Sequence, residues 1–455
     1  MRRLVFGMFD NAQANGFGMA PWRHPDDQRH RFTELGYWID LAKMSEEARL
    51  DFMFLADAWG YARVNGERWD VCFTEGLDLP RLDPAIVLAT VTPETKDLGL
   101  VLTAATLVEL PFSLARRLST LDHMSSGRLG WNVVTTGLAD TTSANFGREM
   151  PPHDKRYDMA DDFMEVVYKL WEGCWEPGAV PADKNGIYAD PSKVHRIDHD
   201  GPYFTSHGYG NAPASPQGTP LLFQAGSSSR GRKFAARHAE CVFLGARPEA
   251  LAAQVTAVRD AAAEIGRDPM SVKALAGVST VIAPTREQAE KEYRRIVDAQ
   301  NPDLAVASYA MFTGIDLSAY DPNTPMADLH TELGQTQVDR FTGQTVGDVL
   351  GDFRQKGVNP WIIVGTAEDA ADQLCAVAEE ARLDGYLMTP LIQPRATQEF
   401  IEQVLPLLRK RGAAREEYEE HTLRERIMGP GHVKLSDDHP GARHRFGSRR
   451  TSAAA

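Results

Sequence analysis

The sequence predicts an α/β fold, a TIM (β/α)8 barrel that carries insertions. Short apolar segments of strand length alternate with stretches of helical periodicity, which is the order expected of parallel strands joined by helices. None of these strand segments is followed by a GxGxxG pattern, so the usual signal of a doubly wound dinucleotide-binding domain is missing. The 455 residues allow two domains or one elaborated barrel, and the alternation favours the barrel.

The composition is that of a globular protein and argues against nucleic acid as a partner. Of the residues 43% are hydrophobic and 25% are charged, and the formal net charge of -14 opposes binding to phosphate backbones. No apolar run approaches the roughly 20 residues of a membrane span, and the first strand follows Met1 too closely for a signal peptide. We therefore expect a cytoplasmic protein without a membrane partner. The cysteines lie far apart with no CxxC pair and are expected to be buried apolar residues: Cys72, Cys174, Cys241 and Cys375.

A first strand is expected at residues 4–9, and the second and third, at 51–57 and 98–103, end in polar side chains. Asp57 closes the second strand and Thr103 closes the third. Ligands bind at the C-terminal ends of parallel barrel strands, so both side chains are expected to face a binding site. An aspartate in this position also caps turns, and the pattern alone leaves that alternative open.

Residues 127–136, GRLGWNVVTT, predict a fourth strand that is buried on both faces. A polar turn before it ends a helix, and the apolar run stops at Thr135, Thr136 and Gly137. Asn132 and the two threonines would then lie at the same end of the barrel as Asp57. The alternative is an ordinary core strand with a polar exit.

Two later segments have the features of an anion site. His153 and Tyr157 lie four residues apart across the predicted start of a helix, whose free N–H groups and dipole favour an anion. After a fifth strand that begins at Pro220 and stops at a glycine, Gly226, Ser227 and Ser228 precede another helix and would supply N–H groups and hydroxyls to one phosphate. Either segment alone is also explained structurally, the second as a serine N-cap beside a glycine turn.

The remaining strands are expected at residues 240–245, 272–283 and 385–391. Residues near 172–219 and 301–358 are rich in turn signals and are expected to be insertions. The loop histidines of the first insertion, such as His195 and His199, are not expected to bind a metal. Residues 417–455 alternate in charge and are predicted to form an arm against a neighbouring subunit or to be partly disordered. The whole chain is thus predicted to be one barrel domain.

Several of these segments together resemble a known enzyme family. The residues DH at 122–123, GR at 127–128 and WNVVT at 131–135 are similar to the hallmark of the flavin-dependent monooxygenases of the bacterial luciferase superfamily. More narrowly, the chain resembles the branch that holds the nitrilotriacetate, dibenzothiophene-sulfone, dimethyl-sulfide and long-chain-alkane monooxygenases. The resemblance covers nearly the whole chain and implies a luciferase-like barrel.

The resemblance implies a two-component monooxygenase. Such an enzyme would use reduced FMN and O2 to oxygenate a small organic compound, with the flavin carrying the chemistry and no catalytic side chain assigned. The reduced FMN would come from a separate NAD(P)H:FMN reductase. The positions implied to bind FMN are Asp57, Thr103, Asn132, His153, Tyr157, Gly226, Ser227 and Ser228.

Apolar and aromatic side chains are expected to line the substrate pocket, and they suit an uncharged organic or organosulfur compound better than a polycarboxylate. They are Phe9, Phe54, Trp59, Phe243, Tyr309 and Met311. Three positions differ from the alkane-oxidising branch, which has Cys, Tyr and His where this chain has Gln13, Ala62 and Gly137. These differences argue against alkane hydroxylation.

Two other functions stay open. A deazaflavin-dependent oxidoreductase of the same superfamily would use the barrel for hydride transfer without oxygen, and a non-catalytic protein would bind flavin without turnover. The bulky insertions and the extended tail favour a homodimer or homotetramer in any of these cases.

Overall fold

Eight parallel strands of the described chain close into a barrel. The computed structural model describes residues 2–15, 19, 21–61, 63–64, 67–68, 70–77, 79–136, 139–226, 228–301, 303–331 and 335–446. Each strand pairs with the next in chain order, and the last pairs with the first, which confirms the predicted TIM (β/α)8 barrel. The strands are β1 (Val5–Asn11), β2 (Phe52–Ala56), β3 (Gly99–Ala105), β4 (Leu129–Val134), β5 (Leu221–Gln224), β6 (Cys241–Leu244), β7 (Lys273–Ile282) and β8 (Gly385–Met388).

Side chains from neighbouring strands fill the barrel interior. Phe223 of β5 packs with its ring centroid 5.3 Å from that of Phe52 and 5.9 Å from that of Phe54, both on β2. A Cβ atom on Gly130 of β4 would lie 2.9 Å from Phe223 Cε2, so only glycine leaves room for this ring. Large and small residues thus alternate across the interior, as close packing requires. The barrel is a filled core, and the C-terminal ends of its strands are where a site can form.

Helices follow the strands and cover the outside of the barrel. A further strand, Ile362–Gly365, pairs in parallel with the second half of β7 outside the ring. The helices are Leu35–Glu47, Asp70–Thr74, Pro84–Val91, Pro111–Met124, Ala139–Phe146, His153–Gly173, Ser229–His238, Pro248–Glu264, Arg286–Asp298, Asp303–Thr313, Gln335–Asp339, Val346–Lys356, Ala367–Glu380, Arg395–Glu399, the π-helical turn Phe400–Val404, Leu405–Lys410 and Leu423–Met428. Within the residues that the structure describes, no helix is long and apolar enough to cross a membrane.

The two long excursions from the barrel are anchored in different ways. Between β4 and β5, the hairpin of Ile197–Asp200 with Thr205–Gly208 is tied to Asp162, whose carboxylate contacts His199 Nε2 at 2.9 Å. A short hairpin, Arg63–Val64 with Glu67–Arg68, follows β2. Between β7 and β8, residues 303–353 have an apolar cluster of their own that includes Leu317 and Met326. The second excursion therefore has a separate small core.

The described part of the C-terminal tail packs across the N-terminal ends of the strands. Leu423 and Ile427 lie in the same apolar cluster as the barrel interior. Arg424, almost fully buried, contacts Glu240 just before β6 at 2.8 Å. The tail therefore closes one end of the barrel.

This position differs from the predicted projecting or disordered arm. The alternating charges are largely used inside the fold, since Arg415 contacts Asp51 at 2.7 Å and Glu420 at 3.1 Å, with all three side chains buried. For residues 417–446 the expectation of disorder is wrong, because buried ion pairs and apolar contacts hold them on their own barrel. Residues 447–455 lie outside the described part of the chain.

Candidate active site

Two polar side chains meet where β3 and β4 end. Thr103 and Asn132 are partners in the strand register, and Asn132 Nδ2 donates a 2.9 Å hydrogen bond to Thr103 Oγ1. Asn132 is 5% exposed, and its Oδ1 atom has no hydrogen-bond partner among the described residues. Leaving a buried acceptor unsatisfied costs about 1–3 kcal/mol, so this oxygen is prepared to accept a hydrogen bond from a ligand.

Asp57 lies directly after β2 and is held by its own loop. Its Oδ1 accepts a 2.9 Å hydrogen bond from the N–H of Ala58 and lies 3.7 Å from Arg81 Nη1. Burial raises the pKa of Asp57 to about 7, and the Arg81 charge only partly opposes this rise. Asp57 is therefore a carboxyl group that changes charge near neutral pH.

Arg81 ties two loops together at this end of the barrel. Its Nε donates to Gln13 Oε1 at 2.8 Å, and its Nη1 donates to the carbonyl oxygen of Ala58 at 2.8 Å. The carboxamide of Gln13 also donates to the carbonyl oxygen of Asn15. Sequence reasoning missed Arg81, because it lies in a loop with no motif around it. Ala62 and Gly137, the other two positions that differ from the alkane-oxidising branch, lie outside the described residues.

Five residues form a compact polar cradle beside β4 and β5: Thr135, Tyr157, Gly226, Ser228 and Gly231. The Tyr157 hydroxyl is hydrogen-bonded to the side chains of Thr135 and Ser228, and burial nevertheless raises the pKa of Tyr157. Ser228 is the N-cap of the helix Ser229–His238, where its Oγ accepts a 2.9 Å hydrogen bond from the N–H of Gly231. A Cβ on Gly226 would lie 2.8 Å from the Tyr157 hydroxyl, so a glycine is needed for this close approach. We call this group the Tyr157 cradle.

The start of the helix His153–Gly173 supplies the other side of the cradle. The His153 ring lies edge-on to Tyr157 with centroids 5.3 Å apart, and its Nδ1 contacts Asp154 at 2.7 Å. Two helices therefore begin at the cradle, and both direct their N-terminal N–H groups to this region. Tyr157 lies beside Gly226, and His153 packs against Tyr157. Ser227 lies outside the described residues.

Three of the predicted pocket residues, Phe9, Phe54 and Phe243, stack with one another inside the barrel. The Phe9 ring lies parallel to that of Phe54 at 5.2 Å and to that of Phe243 at 5.9 Å, with interplanar angles of 17° and 20°. Phe243 is half-buried, whereas Phe54 is 1% exposed. Trp59 lies at the rim, 38% exposed, with its ring edge-on to Phe146 at 5.3 Å. An apolar wall thus exists beside Asp57 and its loop.

The other two predicted pocket residues lie elsewhere. Tyr309 is 1% exposed and packs inside the core of the second insertion, with its ring 5.4 Å from that of Phe353. Met311 packs on a separate cluster that includes Val71 and Leu304. The structure therefore differs from the predicted wall at Tyr309, because the helix Asp303–Thr313 buries this side chain against its own insertion.

The residues at the strand ends fit the FMN that the resemblance implies. The Tyr157 cradle offers hydroxyls, close backbone and two helix starts, which suit one phosphate. Asn132 offers a buried acceptor that no described residue bonds, which suits the N–H or hydroxyl groups of a flavin. The cradle is therefore complementary to the phosphate of FMN, and Asn132 is complementary to the rest of the flavin.

Comparison with known proteins agrees with this geometry. The pattern of the luciferase-like monooxygenase family matches residues 15–385. Over 429 residues the chain is 40% identical to the long-chain alkane monooxygenase of Geobacillus thermodenitrificans (strain NG80-2), covering 93% of this chain and 94% of that protein. Over 453 residues it is 36% identical to the dimethyl-sulfide monooxygenase of Hyphomicrobium sulfonivorans, covering 98% and 94%.

One similar solved structure contains two different flavins. It is a riboflavin lyase with modified FMN and its substrate riboflavin, 60% identical to this chain, with a TM-score of 0.96 over 98% of this chain and 100% of that one. The matched family pattern, these relatives and the closed barrel lead to one conclusion. The chain belongs to the luciferase-like monooxygenase family and is a flavin-dependent monooxygenase that uses reduced FMN and O2.

Proposed function

We propose that this monooxygenase oxidises riboflavin or a closely related flavin without a phosphate group. The observation that carries the proposal is the 60% identity, over 98% of this chain, to a riboflavin lyase that was solved with modified FMN and riboflavin. The relatives that act on alkanes and dimethyl sulfide share 40% and 36% identity.

The proposed roles of the side chains follow from their positions. The Tyr157 cradle holds the phosphate of FMN together with Ser227, and His153 covers it. Thr103, Asn132 and Asp57 contact the flavin ring system from the strand ends. Bound FMN in its reduced state supplies the reaction with O2. The protein's task is to hold the two organic molecules together and to keep water out.

The aromatic wall supports a planar substrate. Phe9 and Phe243 offer nearly parallel rings, and a planar aromatic ring system can stack on such faces. Trp59 at the rim borders the opening in the proposal. The second insertion then serves to enclose the substrate, within a single barrel domain that spans residues 1–455.

The test is a coupled reaction with purified components. The protein is mixed with an NAD(P)H:FMN reductase, NADH, FMN, O2 and riboflavin, and the products are separated by liquid chromatography with mass detection. We expect riboflavin to be consumed with formation of a product that lacks the intact side chain, and only when reductase and O2 are both present. Unchanged riboflavin, with consumption of another substrate instead, would contradict the proposal.

A second candidate is oxygenation of a small apolar or organosulfur compound. The supporting observation is the stacked set Phe9, Phe54 and Phe243, which suits an uncharged apolar ligand. The same coupled assay with dimethyl sulfide, dibenzothiophene sulfone and hexadecane separates the candidates. Faster turnover of one of these than of riboflavin would favour the second candidate.

We also propose the setting in which the enzyme works. A cytoplasmic NAD(P)H:FMN reductase supplies the reduced flavin, and the barrel assembles as a homodimer or homotetramer. Light scattering of the purified protein, with and without the reductase, tests the assembly directly.

A further inference from the structure

Arg156 is a buried cation with no carboxylate partner in the described part of the chain. The residue is 6% exposed, and its Nη1 donates a 2.8 Å hydrogen bond to the carbonyl oxygen of Thr136. Among the residues that the structure describes, its Nε atom has no hydrogen-bond partner. Burial lowers the pKa of Arg156, and the group that opposes this effect is the hydroxyl of Tyr157. A buried charge without a counter-ion is costly, so this position favours an anion nearby.

The neighbouring cation Arg230 is in the opposite situation. Its Nη2 contacts Asp158 at 2.9 Å and Asp161 at 2.5 Å. These two carboxylates raise the pKa of Arg230, although burial opposes the rise. The Arg230 guanidinium also lies 5.5 Å from the centre of the Tyr157 ring. Its charge near the cradle is therefore already compensated, and that of Arg156 is not.

Arg156 lies next to the Tyr157 cradle. It lies in the first turn of the helix His153–Gly173, directly before Tyr157. The carbonyl that it holds belongs to Thr136, whose φ of 75° is unusual for a residue with a side chain. Thr136 follows Thr135, which hydrogen-bonds the Tyr157 hydroxyl. The adjacent residues Arg156 and Tyr157 thus bond to the adjacent residues Thr136 and Thr135, which places the guanidinium beside the cradle.

We propose that Arg156 is the residue that makes the Tyr157 cradle select the flavin that carries a phosphate. The proposal rests on the proposed function, in which FMN and riboflavin meet in one enzyme and differ only by that phosphate. The dianion gains from the uncompensated guanidinium, whereas the neutral hydroxyl of riboflavin does not. Arg156 therefore favours FMN over riboflavin in the cradle.

The test compares two flavins on two variants. Anaerobic titration of the wild-type protein with reduced FMN and with reduced riboflavin measures the ratio of their Kd values. In Arg156→Met we expect FMN binding to weaken by about 10- to 100-fold while riboflavin binding changes by less than about threefold. Arg156→Lys keeps the charge and is expected to keep most of the preference. Equal weakening of both flavins, or an unchanged ratio, would overturn the proposal.

A second measurement separates charge from a merely structural role. Inorganic phosphate is expected to raise the Tm of the ligand-free wild-type protein and to raise that of Arg156→Met much less. The matched control is Arg267→Met, because Arg267 is also buried and donates to backbone carbonyls, those of Ala236 and Ala239 at 2.8 and 2.9 Å. We expect this control to have a lower Tm but the wild-type response to phosphate and the wild-type ratio of Kd values. A phosphate response equal in wild type and Arg156→Met would count against the proposal whether or not riboflavin is turned over, which the coupled reaction tests on its own.

Discussion

At the scale of single residues, the site contains buried polar groups that their neighbours compensate only in part. Asp57 is kept partly neutral by burial, and Asn132 has a buried oxygen that accepts no hydrogen bond within the described part of the chain. Such features cost stability in the ligand-free protein and are typical of binding sites. Both can be tested by exchanging a few atoms.

Replacing Asp57 is expected to change how stability depends on pH. Because the folded pKa of about 7 lies above the usual 3.8, the folded state binds the proton more tightly, and stability falls as the pH rises from about 4 to 7. Asp57→Asn removes this contribution. The free energy of unfolding of the variant, relative to wild type, is therefore expected to rise by about 1–3 kcal/mol from pH 5 to pH 8. Denaturant unfolding at both pH values measures the gain. A difference that stays constant with pH would contradict the assigned pKa.

Replacing Asn132 separates ligand binding from stability. Asn132→Leu removes the unsatisfied oxygen and keeps a similar volume, so we expect the free energy of unfolding to change by less than about 1 kcal/mol. Binding of reduced FMN is expected to weaken about tenfold, because one hydrogen bond to the ligand is lost. Thr120→Val is a suitable control, since Thr120 is exposed and its hydroxyl donates to the Arg116 carbonyl of its own helix. Unchanged FMN binding in Asn132→Leu would place the flavin elsewhere.

At the scale of elements, the start of the helix Ser229–His238 has two tasks. Ser228 caps the helix through the N–H of Gly231, and its side chain also bonds the Tyr157 hydroxyl. The helix Ala367–Glu380 begins with a comparable cap, in which Thr366 accepts from the N–H of Asp369 and receives no proposed ligand role. The two helices thus offer a matched pair.

Removing each cap is expected to cost similar stability but to affect flavin differently. Ser228→Ala and Thr366→Ala should each lower the free energy of unfolding by about 1 kcal/mol. Only Ser228→Ala should weaken binding of reduced FMN, by about 3- to 30-fold, because it also removes a hydroxyl from the Tyr157 cradle. Chemical denaturation measures the free energy of unfolding of each variant, and anaerobic titration measures its affinity for reduced FMN. Equal loss of FMN binding in the two variants would show that the effect is global.

At the scale of the whole molecule, pattern and chemistry predicted different parts of the structure. The barrel and the polar strand ends followed from apolar runs that stop at Asp57, Thr103 and Thr135, since strand period and burial are local signals. The cradle could be assembled because glycine, serine and helix starts have specific backbone roles. Arg81 and Arg156 could not be found, because their partners are backbone atoms or side chains distant in the chain. The place of the tail was also hidden, since alternating charge looks alike whether it faces solvent or a buried partner.

Breaking the buried contact of the tail is expected to unfold more than the tail. Arg424→Met leaves the buried Glu240 carboxylate without its cation, which costs about 3–5 kcal/mol. The double variant Arg424→Met with Glu240→Gln should recover part of that loss, because no buried charge then lacks a partner. Urea unfolding followed by fluorescence measures both. A loss below about 1 kcal/mol in the single variant would mean that the tail contributes little to the barrel.

The tail also sets the order in which the barrel can be completed during synthesis. Leu423 and Ile427 fill the interior from the N-terminal ends of the strands, yet they emerge from the ribosome after all eight strands. Until then the nascent barrel is open at that end, and its phenylalanine-rich interior is accessible to water and to chaperones. A ribosome stalled before Leu423 should therefore hold a protease-sensitive barrel, and release of the final helix should make it resistant.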